Sequence, residues 1–399
     1  MTTAVKIDNQ RVEEELDAVK EEVIILRRHF HQYPEASLKE YKTIARIKEE
    51  LEKIGLAYES VGETGAIATL KSTKGPGKTL ILRADIDALE LDDETNKEYA
   101  SKNAGLNHAC GHDGHAAALL GAAKVLSCLS DTFTGTIKFA FQQAEEIGAG
   151  AKQFVQGGFL EGVDQVFGIH LDSSVEVGKL VATGGATNVS CDIFKIEIEG
   201  LSSHVAQPQS GRDALVAAAA VVTELQTIVS REINPLDPVV VGIGVLQAGT
   251  RYNIVANQAV IEGTVRSFSF ETREYVLNRV EEIANTIAQS HRTKVSKFER
   301  YDAAAPLINE EQATQLAQQV AAEIVGIDNV ITNNPKSLGA DDFADFLAEA
   351  PGIYGRVGTR NPENKETQYG HHHEKFDIDE RGLALATAYH VRYALAYLD

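Results

Sequence analysis

Leu80-Ile81-Leu82-Arg83-Ala84-Asp85-Ile86-Asp87 is an apolar run that closes on two carboxylates one residue apart. A short apolar run bounded by polar residues predicts a buried strand. Two further runs end the same way. Thr136 to Phe141 leads into Gln142-Gln143-Ala144-Glu145-Glu146, and Val163 to His170 closes as Val166-Phe167-Gly168-Ile169-His170. With Gly65 to Leu70 these make a set of strands, of which Thr79 to Arg83 is the second. Helical patterns at about Asn9 to Tyr33 and Ser37 to Ile54 precede them, and a third, at about His115 to Cys128, lies between them. Pro34 separates the first two as a helix breaker. Leu119, Ala123 and Leu126 share one face of the third. Strands alternating with helices predict an α/β catalytic domain whose mainly parallel sheet is flanked by helices. Active sites in such open sheets lie at the carboxyl edge of the strands, where all three polar endings fall.

Further along, the pattern changes. Cys191 to Glu199 alternates Phe194, Ile196 and Ile198 with Lys195, Glu197 and Glu199, a strand with one wet face. A helix at Asp213 to Val229 follows. Strands at Val239 to Leu246 and Gln258 to Arg266, a helix at Thr272 to Ser290 and a strand at Val295 to Tyr301 come next. The order β-α-β-β-α-β is the ferredoxin-like split unit. From Ala305 the chain returns to helix, strand and helix. We therefore expect an inserted ferredoxin-like α+β domain, residues 186–302, between the two parts of the catalytic domain, 1–185 and 303–399.

Composition narrows the function. Lys and Arg total 38 against 58 Asp and Glu, a formal net charge of −20. Such a surface repels phosphate backbones and anionic lipid, so neither nucleic acid nor membrane is expected as a partner; the acidity serves solubility. No uncharged apolar stretch approaches the ~20 residues of a membrane span. The charged opening thirty residues resemble neither a signal nor a transit peptide. Three scattered cysteines, Cys110, Cys128 and Cys191, make no disulfide framework and point to a reducing compartment, hence the cytoplasm.

The densest polar cluster is His108-Ala109-Cys110-Gly111-His112-Asp113-Gly114-His115, just ahead of the third helix. Cys and His two apart in a glycine-flanked loop can turn toward one metal ion, and thiolate with imidazole suits zinc and later first-row metals. A capped loop whose histidines satisfy the backbone is the bland alternative. No second Cys/His pair follows at finger spacing, and no resolving cysteine favours a redox thiol. Glu145-Glu146 by itself reads as a solvated pair, and His170 by itself as a core histidine; their place at strand ends makes them candidate ligands. Tyr369-Gly370-His371-His372-His373-Glu374-Lys375-Phe376-Asp377 offers three consecutive histidines, at least one of which faces the metals on this reading. Arg266, at a strand end, could clamp a substrate carboxylate bidentately or make a surface ion pair.

Taken together these pieces resemble the dinuclear metallo-amidohydrolases and carboxypeptidases that include hippurate hydrolases, auxin-conjugate hydrolases and N-acetyldiaminopimelate deacetylase. The resemblance runs from Arg28-His29-Phe30-His31-Gln32-Tyr33-Pro34-Glu35 through Arg83 to Leu89, His108 to His115, Gln142 to Glu146 and Gly168 to His170. It continues at Ser203-His204, Gly263-Thr264-Val265-Arg266 and Gly339 to Phe343, and closes on His372 to Glu380. It implies five ligands: Cys110 bridging two divalent ions, His112 and His170 on one, Glu146 and His372 on the other. His372 is chosen because the family histidine lies four residues before the closing Phe, here Phe376. The resemblance further implies Glu145 as general base, Asp87 as the aspartate that orients the site, His204 as a lid histidine reaching a neighbouring subunit's site, and Arg266 with Asn253 as binders of the substrate carboxylate.

The expected reaction is hydrolysis of the amide bond of N-acyl amino acids, with manganese or zinc as the ions and cobalt or nickel as alternatives. A homodimer through the inserted domain, or a higher assembly of it, is expected. A dipeptidase or carboxypeptidase using the same centre is the alternative within hydrolases, and a catalytically silent metal-binding scaffold the alternative outside them. Gln143 and Ile147 replace the family's Pro and Gly, Leu171-Asp172-Ser173-Ser174 lacks its Trp-Pro, and Ala256-Asn257 replaces its Pro-Asp. These departures spare every expected ligand and bear on the acyl group.

Overall fold

The computed structural model describes residues 9–399; the first eight residues of the expected 1–185 segment lie outside them. In chain order, helices α1 (Asn9–Gln32) and α2 (Tyr41–Ile54) precede strands β1 (Ala57–Val61), β2 (Gly65–Lys71) and β3 (Thr79–Asp85). Helix α3 (His112–Cys128) and strands β4 (Thr136–Gln142) and β5 (Gln165–Glu176) follow. Next come β6 (Cys191–Glu199), α4 (Ala214–Thr227), β7 (Val239–Ala248), β8 (Gln258–Ser267), α5 (Phe270–Ser290) and β9 (Lys294–Ala304). The chain closes with α6 (Glu311–Val325), β10 (Gly352–Arg360) and α7 (Arg381–Leu398).

Two compact units result. The first comprises Met1–Gly185, Ile308–Pro335 and Asp345–Asp399; the second comprises Ala186–Leu307 and Lys336–Ala344. The sheet of the first unit runs β1-β2-β4-β3-β5-β10 and is extended by Leu180–Val181 and Val330–Ile331. Its centre is parallel, with β3 beside β4 and β5, and β5 beside β10. The hairpin β1–β2 adds antiparallel strands at one side. The mixed α/β class with a mainly parallel central sheet is therefore as expected.

Parallel strands covered on both faces must be apolar throughout. In β3 every residue from Leu80 to Asp85 is buried. Helix α3 is rich in Ala, Leu and Gly for the same reason: α1 and α7 cover its outer surface. At Gly121 a Cβ would stand 2.5 Å from Val23 Cγ2, so only glycine lets α1 approach this closely.

The sheet of the second unit runs β9-β6-β8-β7, with β6 between β9 and β8 and with β7 at one edge. All pairings are antiparallel, which is the split β-α-β-β-α-β arrangement. Phe194, Ile196 and Ile198 of β6 are buried in one cluster with Val221 and Leu225 of α4 and Val280 and Ile283 of α5. The stretch Ala214–Glu232 is long and apolar enough to cross a membrane by length and composition alone. It carries Glu224, Arg231 and Glu232, and its Ala217, Val221 and Leu225 face is spent on the unit's own sheet.

One local expectation needs correction. Helix α3 begins at His112, not near His115. Gly111 takes the left-handed conformation, φ 90°, and reverses the chain, which lets the helix start inside the polar cluster.

Candidate metal centre

The cluster gathers at the carboxyl edge of the first unit's sheet. Cys110 and His112 flank the Gly111 turn, and a start at His112 places His115 one turn on, on the same side of α3. Asp85 and Asp87 leave the end of β3, Glu145 and Glu146 follow β4, and His170 lies within β5. Side-chain donor atoms of Cys110, His112 and His170 lie within 4.8 Å of one another, as do those of Cys110, Glu146 and His372. The two triads share the Cys110 sulfur. Glu145 stands beside both, grouped with His112 and Glu146 at the same spacing.

Hydrogen bonds fix which ring nitrogen each histidine turns inward. His112 Nδ1–H donates to the Asp87 carbonyl at 3.0 Å, with Asp87 Oδ1 at 3.3 Å. Its Nε2 is buried with no hydrogen-bond partner among the described residues. His170 Nδ1–H donates to the Leu171 carbonyl at 2.7 Å, which leaves Nε2 facing Cys110 Sγ at 3.6 Å. Asp87 is itself held: Ser37 Oγ–H donates to Oδ2 at 2.6 Å and the Glu146 N–H at 3.1 Å. One aspartate thus positions both His112 and the Glu146 backbone. On the opposite side, His372 Nε2 is 3.4 Å from Glu146 Oε2.

These donors fit divalent cations. Glu146 Oε1, like His112 Nε2, is buried without a hydrogen-bond partner among the described residues. Leaving such atoms unpaired is costly unless a cation takes them. The electrostatics agree. Burial pushes the Cys110 thiol up, and Glu146 and Glu145 push it the same way against the His112 hydrogen bond. Burial also raises the Glu146 carboxyl, with Asp87 and Asp85 adding to it and His112 opposing. His112 is raised despite its burial, chiefly by Asp85, and His170 is held well below the usual histidine range by burial. A site crowded with suppressed anions gains most from added positive charge, and metal ions invert this pKa logic.

The three consecutive histidines separate cleanly. His371 Nε2–H donates to the Leu171 carbonyl at 3.0 Å and stands outside both triads. His373 Nδ1 accepts the Lys375 N–H at 3.0 Å on the exposed surface. His372 alone of the three joins a triad, with a left-handed backbone, φ 63°, and its N–H bonded to the Ala109 carbonyl at 2.8 Å.

Several supporting residues escaped the sequence reading. Ala144 is forced to φ 53° just before Glu145, and the buried Glu40 accepts its N–H at 2.8 Å. His115 gives Nδ1–H to Asp85 at 2.5 Å and accepts the Leu171 N–H on Nε2 at 2.8 Å, so neither nitrogen is left for a metal. The buried Arg27 of α1 donates to Asp113 at 2.8 Å and to Asp377 at 2.9 Å, tying the segments on either side of the centre. None of these contacts joins residues close in sequence, so no local pattern announces them.

Of the remaining expected residues, His204, Asn253 and Arg266 belong to the second unit. His204 and Asn253 come side by side there: the Val205 N–H donates to the Asn253 carbonyl at 3.2 Å and His204 bridges Ile254. His204 Nδ1 accepts the Ala206 N–H at 3.0 Å. Arg266 reaches the Leu338 carbonyl at 3.3 Å.

The chain is similar to known proteins in sequence and in fold. The model of a family described as peptidase family M20/M25/M40 matches residues 81–396. N-acetyl-L-cysteine deacetylase of Bacillus subtilis is 37% identical over 385 residues, covering 96% of this chain and 90% of that one. Thermostable carboxypeptidase 1 of Saccharolobus solfataricus is 34% identical, covering 97% and 98%. Among solved structures, the Bacillus subtilis YXEP protein, described as a dinuclear metal-binding peptidase of the M20 family, superposes with a TM-score of 0.81 at 32% identity. That match covers 96% of this chain and 99% of the other.

Proposed function

Because the chain belongs to peptidase family M20/M25/M40 and is a hydrolase acting on C–N bonds, we propose that it cleaves the amide bond of N-acyl amino acids. The observation that carries this reading is the pair of triads sharing the buried Cys110, with Glu145 set beside them. Cys110, His112 and His170 would hold one divalent ion, and Cys110, Glu146 and His372 a second, with manganese or zinc as the native metal. Such ions, when bound, polarise a carbonyl and acidify water.

Glu145 does the proton work. Its carboxylate oxygen takes a proton from the attacking water and returns it to the departing amide nitrogen. Asp87 holds His112 by its Nδ1–H, which keeps Nε2 available as a donor. Glu40 keeps Ala144 in its left-handed turn, which directs the Glu145 side chain off the end of β4. On the family resemblance, Arg266 and Asn253 bind the free carboxylate of the substrate and His204 stabilises the developing oxyanion. The same reading carries a cytoplasmic enzyme assembled as a homodimer through its second unit.

The test is turnover by metal-loaded protein of hippurate, N-acetyl amino acids and a set of dipeptides. Preference for the acylated amino acids supports the proposal. Preference for dipeptides would shift it to the peptidase reading, which the carboxypeptidase relative favours. Two bound ions with no amide cleavage would leave a binding scaffold.

A further inference from the structure

The backbone of Leu171 makes three hydrogen bonds with three histidines. Its carbonyl accepts His170 Nδ1–H at 2.7 Å and His371 Nε2–H at 3.0 Å. Its N–H donates to His115 Nε2 at 2.8 Å, and His115 in turn is anchored on Asp85 at 2.5 Å. Leu171, His115 and Asp85 are fully buried. The His371 ring lies 4.9 Å from the His170 ring on one side and 5.2 Å from Phe376 on the other, centroid to centroid. Its side chain is therefore confined as well as bonded.

His170 belongs to one triad and His372 to the other. Their segments are about two hundred positions apart in the chain, as the His371–Leu171 bond spans. Without His371, His372 would depend on its own N–H bond to the Ala109 carbonyl and on a left-handed backbone that costs about 1–3 kcal/mol to maintain.

We infer that His371 is a positioning residue of the metal centre: by donating to the Leu171 carbonyl it locks the His372 segment to the His170 segment and so sets the spacing of the two triads. This rests on the dinuclear reading above. The role needs an N–H donor of about the right reach at position 371, not a metal-binding nitrogen. Removing the donor leaves no buried carbonyl unpaired, because His170 still satisfies Leu171 O. The fold should therefore tolerate the change while the centre loosens, a separation that a purely structural role would not produce.

Three variants test it: His371→Leu, which keeps bulk and loses the donor, His371→Gln, which restores an N–H, and His373→Ala as a surface control. Each metal-free protein is titrated calorimetrically with Zn2+ and with Co2+, whose thiolate absorption reports on the Cys110 environment. In wild type two ions bind. In His371→Leu the ion that depends on His372 should bind about 10- to 100-fold more weakly, the usual effect of losing an outer hydrogen bond to a metal site. The other ion and the metal-free melting temperature should stay at wild-type values. His371→Gln should recover most of the lost affinity, and His373→Ala should match wild type. Wild-type affinity for both ions in His371→Leu would overturn the inference. So would a His371→Gln variant as weak as His371→Leu. Loss of an ion as complete as in His372→Ala would instead make His371 a ligand. A wild-type protein that takes up no cation would refute the dinuclear reading itself, an outcome separable from each of these.

Discussion

Replacing Arg27 by Met should destabilise the first unit by an amount that the burial of its partners sets. Arg27 and Asp113 have fully buried side chains, and Asp377 is nearly so. The guanidinium donates to both carboxylates, and removing it strands them away from water. Breaking a buried pair by deleting one partner costs about 3–5 kcal/mol. Part of the loss is relieved, since His31 still bonds Asp113 at 2.7 Å and the Tyr99 hydroxyl still donates to Asp377 at 2.9 Å. The lower end, about 3 kcal/mol, is the better figure. With the usual unfolding entropy per residue, that lowers the melting temperature of a unit this size by about 5 °C. Arg27→Lys should fall between, because an ammonium keeps the charge but not the fork that reaches two carboxylates. Asp113 adjoins His112 and Asp377 follows the His372 turn, so metal should also protect the Met variant less. The assay is differential scanning calorimetry on metal-free and metal-loaded protein, where a tighter-bound ion gives a larger upward shift. A Met variant melting within about 1 °C of wild type, with an undiminished metal-induced shift, would refute the reasoning.

Glu145→Gln should keep both ions and lose about 10²- to 10⁴-fold in turnover, since proton transfer goes and ligation stays; metal analysis beside a rate measurement decides it, and loss of metal would move Glu145 into the ligand set. Cys110→Ser replaces a thiolate common to both triads with a neutral hydroxyl, so metal content after dialysis should fall sharply. Two ions retained through dialysis would remove Cys110 from the centre. His372→Ala should cost far more metal affinity than His373→Ala, read by the same titrations; equal effects would undo the choice of His372. Burial works against the Asp93 carboxylate, but hydrogen bonds from His31, Thr95 and Ser101 outweigh it and hold Asp93 well below the usual carboxylate range. Its folded pKa is depressed, so its stabilisation is present above the unfolded value of about 4 and is lost as pH falls through the folded one. Asp93→Asn should flatten the dependence of the urea midpoint on pH below about 4, and an unchanged acid limb would contradict this.

The amino-acid sequence determined the elements that local chemistry dictates. Apolar runs closing on Asp85 and Asp87, on Glu145 and Glu146 and on His170 identify strands and the edge at which polar groups collect, because a strand buried on both faces has no other place for them. Alternation along Cys191–Glu199 marks a strand of a different kind, half wet, and hence the second unit's antiparallel sheet. The position of Gly111 inside the Cys-Gly-His cluster was visible too, but not that it turns left-handed and starts α3 at His112, because glycine permits that geometry without demanding it. Counting back from Phe376 singles out His372 only through the family resemblance; a physical distinction between His371, His372 and His373 exists only in the tertiary structure. Three identical side chains in a row carry no local distinction; what separates them is that a carbonyl at Leu171 consumes the first, the second stands 3.4 Å from Glu146, and the last turns its Nδ1 to the Lys375 N–H. The same holds for Arg27, Glu40 and the Asp85–His115 pair. Their roles arise from partners tens to hundreds of positions away, and the energy of a buried hydrogen bond or ion pair exists only once folding has excluded water from both ends.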